Sequence, residues 1–334
     1  MTIKKLFSSL IIILALWLLF PSHSQASDIS YRLRGSFLLS VEEEGKVYYV
    51  DTDNGLRHEL TNFNLAKLEQ LALGIKTSDL AKIPVAVDAR FLRYDSDGDG
   101  LDDRLERALA LNPALSDTDN DSYSDAVELR YHFNPLGEGR ANLDLDFSAS
   151  LRGKILMQVE AEGQLWYVNV EDNLRYYLGD SEDLRRLILY LAKGITKNNL
   201  DAIVDARVIK DDNKKSIRVD VGPSQRVYYY LDGVELGSFP VSSGSKDMPT
   251  PQGSFEIINK HPKAWSSYGL WMPYWLGLGT GRFGFHELPI WPSGYREGED
   301  HLGRAVSHGC IRLGIGPAQF LYNWAEIGTP VEIY

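Results

Sequence analysis

The only cysteine of the chain, Cys310, lies in the stretch Ser-His-Gly-Cys-Ile-Arg-Leu at residues 307–313. A lone cysteine in this setting has three interpretations. A buried, inert thiol would not need flanking glycine and polar residues. A metal ligand would need further donors; His286, His301 and His308 could join it, but the chain has no Cys-x-x-Cys or paired-histidine spacing. The third interpretation is a nucleophile, and the neighbouring residues favour it.

A cysteine nucleophile reacts as the thiolate, so it needs a base or a positive charge close by. Arg312, His308 and a histidine from elsewhere in the chain could meet this need. Gly309 has no Cβ, so a substrate carbonyl could come close to the backbone there. The N–H groups around Gly309 and Cys310 are therefore predicted to form an oxyanion hole, which stabilises the negative oxygen formed during acyl transfer.

An acidic segment supplies a second kind of chemistry. Residues 95–106 fit the calcium-loop pattern D-x-D-x-D-G-x5-E at every position. Alternate carboxylates of such a loop point inward, and Gly100 allows the sharp turn that this requires. The predicted ligands are Asp95, Asp97, Asp99, the carbonyl of Leu101, Asp103 (directly or through water) and a bidentate Glu106.

A second, weaker copy of this loop follows. Its predicted ligands are Asp117, Asp119, Asp121, Tyr123, Asp125 and Glu128. Ser122 stands where glycine is preferred, so we expect a strained turn and a weaker site. The two loops resemble calcium-binding repeats of the thrombospondin type 3 kind, which implies a structural Ca²⁺ in the 95–128 segment. The alternative is a solvated acidic linker.

The charge of the chain is concentrated in this segment. The whole chain carries a net charge of −11, and eleven Asp and Glu residues against two Arg residues lie between Tyr94 and Glu128. The rest of the chain is close to neutral. This distribution argues against nucleic-acid binding and for one cation-binding segment.

The C-terminal third of the chain resembles the catalytic domain of L,D-transpeptidases, the YkuD-type fold. The resemblance rests on five separated motifs that occur in the family's order. They are Phe239–Gly244, the Thr-Pro-x-Gly-x-Phe turn at Thr250–Phe255, Met272–Trp275, Gly284–His286, and the heptapeptide at 307–313.

This resemblance implies that Cys310 is the nucleophile and His286 its base, oriented through the carbonyl of Glu287. It also implies that His308, Ser307 and Arg312 support the pocket and the substrate carboxylate. No cofactor is expected for catalysis.

The chain departs from the family in two places. Glu287 stands where the family most often has glycine, and the segment between His286 and Cys310 is longer than usual. The longer segment leaves His301 as a rival base. We favour His286 because it follows a strand-like run that could hold the ring rigidly.

The reaction that the resemblance implies is acyl transfer on peptidoglycan stem peptides. Cys310 would attack the carbonyl before a terminal D-Ala, and an amine of a second stem or of a protein would take the acyl group. Water as the acceptor would make the enzyme an L,D-carboxypeptidase. A calcium-ordered wall-binding protein with an idle catalytic domain is the alternative of a different class. The aromatic segment 265–280 is predicted to be either a lid over the site or ordinary core.

The elements around the heptapeptide are predicted to be mostly β. Strand-like runs at 217–221, 226–231 and 234–241, with a hairpin turn at Asp232-Gly233, indicate a β-rich domain over residues 215–334. The expected fold class is a multidomain chain. An L,D-transpeptidase-like β-sandwich at its C-terminus is preceded by two small α+β repeat units and a calcium-loop segment.

The repeat units are two copies of one pattern, at residues 27–91 and 145–212, separated by the calcium segment 92–140. Each predicts a three-strand meander with one helix, and Gly74 and Gly194 are expected to end the helices in left-handed caps. Aromatic residues of the repeats, such as Tyr49, Trp166 and Tyr167, are expected in the core. The alternative is that they stack on sugar rings. The units are expected to bind a wall polymer or a surface protein.

The N-terminus predicts export. Residues 1–26 have a short positive start, an apolar run and small residues before Ala26, which is the pattern of a cleaved signal peptide. An uncleaved membrane anchor is the alternative. Both place the remainder outside the cytoplasmic membrane, in the periplasm, the cell wall or the medium. One cysteine allows no intrachain disulfide, so packing or metal must stabilise the fold.

Overall fold

A computed structural model describes residues 29–160 and 163–334. The chain divides into two compact units, one of residues 33–201 and one of residues 202–334 together with the segment that precedes residue 33. The predicted signal peptide at 1–26 lies outside the described residues. Within the described part of the chain, no helix is both long enough and apolar enough to cross a membrane.

The unit of residues 33–201 contains short strands and helices. Its described strands are β1 (Phe37–Ser40), β2 (Val47–Val50), β3 (Arg57–Glu59), β4 (Leu73–Ile75), β5 (Ile155–Gln158), β6 (Gln164–Val168), β7 (Arg175–Leu178) and β8 (Lys193–Ile195). Its described α-helices are α1 (Ala66–Leu71), α2 (Thr77–Leu80), α3 (Asp103–Ala108), α4 (Asp125–Tyr131), α5 (Leu145–Ser150), α6 (Ser181–Leu191) and α7 (Lys197–Asp201). Two single-turn 3-10 helices lie at Thr61–Phe63 and Ala89–Phe91.

The two sequence copies exchange a strand. The strands β1–β3 form an antiparallel meander, and so do β5–β7, but each meander gains a fourth, parallel strand from the other copy. Strand β8 pairs with β1, and β4 pairs with β5. The chain therefore forms one unit from the two copies, where the sequence suggested two.

The expectation of left-handed helix caps at Gly74 and Gly194 is wrong. Both glycines lie inside the exchanged strands β4 and β8, and neither has a positive φ. The chain leaves helix α1 at Ala72 and helix α6 at Ala192, and both of these residues are already extended. A Cβ at Gly74 would lie 3.1 Å from the Val159 side chain, so close packing on the neighbouring copy favours glycine there.

One core serves both copies, and the prediction that the repeated aromatic rings are buried is confirmed. Tyr49, Trp166 and Tyr167 are at most 2% exposed. The Tyr49 hydroxyl donates to the Gly153 carbonyl at 2.8 Å, and the Tyr167 hydroxyl donates to the Gly35 carbonyl at the same distance. These reciprocal bonds join the copies where Gly35 and Gly153 approach so closely that a Cβ on either would lie 2.4 Å from the other's Cα.

The C-terminal unit is mostly β, as predicted. Its strands are β9 (Lys215–Asp220), β10 (Arg226–Leu231), β11 (Val234–Ser242), β12 (Gly253–Trp265), β13 (Trp271–Leu278), β14 (Phe283–Glu287), β15 (Ile311–Leu313) and β16 (Pro330–Ile333). Helix α8 (Pro317–Trp324) packs on this sheet, and 3-10 turns lie at Ala206–Val208 and Glu299–His301.

The strands of this unit close into a barrel in the order β10-β11-β15-β14-β13-β12-β16-β9, where a sandwich was expected. Two long strands cause the closure. The end of β11 leaves β10 and pairs with β15, while β12 pairs first with β16 and then, after a register shift between Ile257 and Asn259, with β13. Each long strand thus belongs to both faces, so neither face has a free edge there.

The segment just before residue 33 packs on this C-terminal unit. The Tyr31 ring makes edge contacts with Phe239 and Phe320, with ring centroids 5.3 and 5.9 Å apart. The sequence had assigned this segment to the first repeat unit.

Candidate functional site

Two neighbouring parallel strands position Cys310 and His286. Strand β14 carries His286, and β15 begins one residue after Cys310, so that His286 lies opposite Arg312. Gly284 lets β14 approach β13, because a Cβ there would lie 2.1 Å from the Leu276 carbonyl oxygen. The predicted nucleophile and its predicted base therefore reach the same site from adjacent strands.

The His286 ring is held in one orientation. Its Nδ1 lies 2.6 Å from the Glu287 carbonyl oxygen, which requires the Nδ1 atom to carry the proton and leaves Nε2 as an acceptor. The ring is buried and stacks against Trp275 at 6.2 Å between centroids. Burial lowers the pKa of His286 to about 4, with a further lowering from the Arg312 charge, so the ring is neutral near pH 7.

Burial also raises the pKa of the Cys310 thiol above its ordinary value, although a hydrogen bond with the Gly284 backbone and the Arg312 charge act against the rise. The resting pair is therefore a neutral thiol and a neutral imidazole. These directions of the two pKa shifts favour a thiolate that forms as the proton passes to His286 over a thiolate that is present at rest.

The loop before Cys310 is fixed by hydrogen bonds to a second loop. Ser307 Oγ donates to the Cys310 carbonyl at 2.5 Å, and Thr250 Oγ1 donates to the Gly309 carbonyl at 2.9 Å. The Gly244 N–H in turn donates to Thr250 Oγ1 at 2.8 Å. These contacts explain why the separated motifs around 239–244, 250–255 and 307–313 occur together.

The predicted oxyanion hole needs one change. The Gly309 N–H already donates to Ser307 Oγ at 3.1 Å, so it is engaged in holding the loop. Gly309 has a φ of 106°, which favours glycine at this turn. The Cys310 N–H remains the candidate donor to an oxyanion.

Cys310 and His286 line one cavity of about 500 Å³. Its charged and titratable lining residues, within the described chain, are Arg282, Arg312, His261, His286, His308, Tyr268 and Cys310, and none of the lining residues carries a carboxylate. His261 lies in strand β12, which continues through Pro262. The cavity therefore favours a ligand with negative charge.

The aromatic segment divides between the two predicted roles. Trp275 is buried, and Leu270 and Met272 with it, whereas Trp265 and Tyr268 are about half exposed at the cavity. The Tyr268 ring stacks on the exposed His308 ring at 4.6 Å between centroids. The turn between β12 and β13 thus borders the cavity, and the strand that follows is core.

Arg312 is buried beneath the cavity and is only partly satisfied. Its Nη1 donates to Glu297 Oε2 at 2.6 Å, while its buried Nε has no hydrogen-bond partner among the described residues. A buried donor of this kind is costly unless a ligand accepts from it.

His301, the rival base, is held elsewhere. It lies on the 3-10 turn Glu299–His301, its Nδ1 is 3.1 Å from Glu297 Oε2, and it is absent from the residues that line the cavity with Cys310. The structure therefore favours His286 as the base.

Sequence reasoning missed Arg296 and Glu297. Arg296 forms an ion pair with the buried Glu287, and Glu297 forms one with Arg312. Both residues lie in the longer segment between His286 and Cys310. The signal that could have found them is the pair of adjacent opposite charges in that segment, facing an unusual glutamate at 287.

The first acidic loop brings its carboxylates together. Ligand atoms of Asp95, Asp97 and Asp99 lie within 4.8 Å of one another. Glu106 is fully buried, and neither of its carboxylate oxygens has a hydrogen-bond partner in the described chain. Burial, with the neighbouring aspartates, raises the pKa of Glu106 to about 8. A buried carboxylate without a partner next to three others fits the oxygen cage that Ca²⁺ requires.

The second loop repeats this arrangement. Asp117, Asp119 and Asp121 also converge within 4.8 Å, and burial raises the pKa of Glu128 to about 7. One oxygen of the buried Glu128 has no partner among the described residues. The residues of both loops therefore fit a bound cation.

The remaining predicted ligands have other contacts. Asp103 accepts from the Ser96 N–H and hydroxyl at 2.8 Å each, and Asp125 accepts from the corresponding groups of Thr118 at 2.9 and 2.6 Å. Their carboxylates therefore close the loops through these hydrogen bonds. Leu101 is buried, and Tyr123 is exposed; each would contribute its backbone carbonyl.

Comparison with known proteins agrees with the site. A family model described as the YkuD L,D-transpeptidase catalytic domain matches residues 214–333. The putative L,D-transpeptidase YciB of Bacillus subtilis is 30% identical over 132 residues, which cover 37% of this chain and 68% of that protein. The putative L,D-transpeptidase YkuD of Bacillus licheniformis is 32% identical over 96 residues, covering 29% of this chain.

The chain spans about half, 52%, of the length of the Bacillus licheniformis protein. Among solved structures, an L,D-transpeptidase from Mycobacterium tuberculosis matches with a TM-score of 0.32 and 26% identity, covering 36% of this chain and 57% of that one. The family match and the Bacillus subtilis relative lead to one conclusion: through residues 214–333 this chain belongs to the YkuD family of L,D-transpeptidase catalytic domains.

Proposed function

We propose that this chain is a peptidoglycan L,D-transpeptidase that forms an acyl-enzyme on Cys310. The observation that carries the proposal is that the single cysteine and a neutral, oriented His286 border one cavity, with the proton of the ring fixed on Nδ1. Nε2 is then free of that proton and can accept the one from the thiol.

In the first step, the Cys310 sulfur bonds to the carbonyl carbon that precedes a terminal D-Ala, and the thiol proton passes to His286. The bond from that carbon to the D-Ala nitrogen then breaks, and His286 returns the proton to the departing amine. The Cys310 N–H would stabilise the negative oxygen between these events.

In the second step, an amine attacks the thioester carbon and gives its proton to His286. The carbon–sulfur bond breaks, and the proton returns to sulfur. A stem-peptide amine gives a crosslink, a protein amine gives attachment, and water gives trimming. The unsatisfied Arg312 Nε–H and the absence of acidic lining residues support binding of a carboxylate of the stem.

The proposal is tested by incubating the full chain with tetrapeptide-containing muropeptides and separating the products by mass. Crosslinked dimers are expected with the wild-type protein and not with Cys310→Ala or His286→Ala. His301→Ala is the matched control and should keep most of the activity. Tripeptide without dimer would instead establish the carboxypeptidase, and no turnover would indicate an idle domain that binds the wall.

The acidic loops support a second proposal, that residues 95–128 bind structural Ca²⁺. The carboxylates of Asp95, Asp97, Asp99 and Glu106 would hold one ion, and the corresponding residues of the second loop would hold another. The unpartnered oxygens of Glu106 are the observation in favour. When bound, the ion would neutralise carboxylates that otherwise repel each other and so order the segment.

Calcium binding is tested by titration calorimetry. Glu106→Gln should abolish the tighter of two binding events, while the exposed Glu138→Gln should change neither. Equal calcium binding by all three proteins would contradict the proposal.

Export to the periplasm or wall, and binding of a wall polymer or surface protein by the 33–201 unit, remain proposals that accompany the enzymatic one. Export is measured by locating the protein after fractionation of cells. Wall binding is measured by sedimenting the chain with purified peptidoglycan, with and without calcium.

A further inference from the structure

The segment between His286 and Cys310 is folded against both catalytic strands. Ile290 pairs with Trp271 through hydrogen bonds of 2.8 and 2.9 Å and also with Arg296, so the segment starts as a tight hairpin. Further on, the Gly303 N–H donates to the Val241 carbonyl at 2.8 Å. The extra length is therefore an ordered structure attached to β11 and β13.

Two consecutive residues of this segment bind the two catalytic strands. Arg296 pairs with Glu287, which directly follows His286 on β14. Glu297 pairs with Arg312, two residues after Cys310 on β15, at 2.6 Å. One short stretch of chain thus contacts both strands through opposite charges.

Each of these ion pairs contains one buried charge, so the loss of either pair should be costly. Glu287 is 4% exposed and Arg312 is 5% exposed, so neither charge can be solvated well if its partner is lost. By contrast, the Arg304–Asp300 pair of the same segment is largely exposed, and such pairs contribute little.

We propose that Arg296 and Glu297 are positioning residues that act as a clamp: they hold the ends of β14 and β15 together, and with them His286 and Cys310. The catalytic meaning of the clamp rests on the proposed function, but its electrostatic effect on Cys310 does not.

The clamp has a defined electrostatic consequence. The Arg312 charge acts to lower the pKa of Cys310, and Glu297 offsets that charge at close range. Loss of the Glu297 charge should therefore let the thiol ionise at lower pH. The other titratable groups that border the cavity are His261, Tyr268, Arg282, His286 and His308, and the substitutions below leave them in place.

The test is the rate of Cys310 alkylation by iodoacetamide as a function of pH, in the full chain. Glu297→Gln is expected to move the midpoint down by about one pH unit, because one charge close to the ion pair is removed. Arg304→Gln, on the same segment, should leave the midpoint unchanged. Glu297→Asp keeps the charge and should stay near the wild-type midpoint. Coincident midpoints for Glu297→Gln and Arg304→Gln would overturn the proposal.

Turnover of a stem tetrapeptide separates the clamp from the proposed function. Glu297→Gln should lose about tenfold or more in kcat while its alkylation at neutral pH becomes faster, since misplacement of the pair by a fraction of an ångström is costly. Turnover and alkylation both unchanged would overturn the clamp. A wild-type chain without turnover, whose alkylation still depends on Glu297, would refute the transpeptidase and leave the clamp standing. Unfolding midpoints of each variant show whether the fold survives; if Glu297→Gln unfolds, Glu297→Ala removes the charge in its place, with Glu297→Asp as the control that keeps it.

Discussion

Replacing Ser122 by glycine should stabilise the second acidic loop. Ser122 has a φ of 81°, and the corresponding Gly100 of the first loop has a φ of 99°. The unusual backbone has a purpose in both loops: it aims the Ser122 N–H at Asp117 Oδ2 at 2.8 Å and the Gly100 N–H at Asp95 Oδ2 at 3.1 Å. The two loops therefore contain the same turn. The first loop has glycine at the position with positive φ, and the second has serine, which is less suited to that backbone conformation.

The size of the effect follows from the backbone alone. A residue with a Cβ in the left-handed region costs about 1.5 kcal/mol, and glycine loses about 0.7 kcal/mol more chain entropy on folding. Ser122→Gly should therefore raise the free energy of unfolding by about 0.8 kcal/mol, which is a change of about fourfold in the equilibrium constant. Gly100→Ser should lose a similar amount, because a Cβ there meets nothing within 4 Å and only the backbone strain applies.

The assay is the free energy of unfolding in denaturant, measured in excess calcium and again in a chelator. In excess calcium the gain should appear in full for Ser122→Gly. If the loop is ordered only by the ion, the gain appears as tighter calcium binding and is absent in the chelator. If the loop is ordered without the ion, the gain persists in the chelator. No gain in excess calcium, or no loss for Gly100→Ser, would refute the reasoning.

Four further outcomes are expected. His286→Ala should leave the pH midpoint of Cys310 alkylation nearly unchanged while acyl transfer falls by at least about 100-fold, because burial keeps the imidazole neutral; a rise of the midpoint would instead indicate an ion pair. The wild-type alkylation rate should itself rise only above the ordinary cysteine range, since burial raises the pKa of Cys310. Glu106→Gln should lose calcium binding at the first loop yet stabilise the calcium-free protein in chelator, as it removes an unpartnered buried carboxylate. Tyr31→Ala should lower the unfolding free energy of the C-terminal unit by about 2 kcal/mol, through two lost ring contacts, measured by denaturant titration.

The parts of the fold that the sequence predicted are those with local or repeated signals. Hairpin turns, alternating strands and the two copies of one pattern all have such signals, and the burial of Tyr49 and Trp166 follows from ring size. The exchange of β4 and β8 has no local signal, because a three-residue strand looks the same whichever copy it pairs with. The role of Gly74 also had no local signal. A glycine after a helix is compatible with a left-handed cap and equally with close packing of a strand against a neighbouring side chain.

The site divides along similar lines. The chemistry of a cysteine nucleophile asked only for a nearby base, and the family resemblance carried by the surrounding motifs singled out His286, which lines the same cavity as Cys310. The protonation state was not predictable, because it depends on burial, which raises one pKa and lowers the other. The role of the Gly309 N–H was also hidden, because Ser307 Oγ competes for it at short range.

A neutral thiol beside a neutral imidazole suits the proposed enzyme, which would wait for its substrate outside the cytoplasmic membrane. A permanent thiolate would be open to oxidation, whereas a buried, protonated Cys310 reacts slowly with anything that does not also engage the cavity. In the proposed reaction, an entering stem peptide would bring a carbonyl to sulfur and a carboxylate to Arg312, whose Nε–H has no partner among the described residues. That carboxylate would offset the Arg312 charge, which now disfavours a protonated His286. Substrate binding would thereby raise the basicity of the imidazole at the moment the proton has to move, so the ionisation of Cys310 is coupled to occupancy of the site.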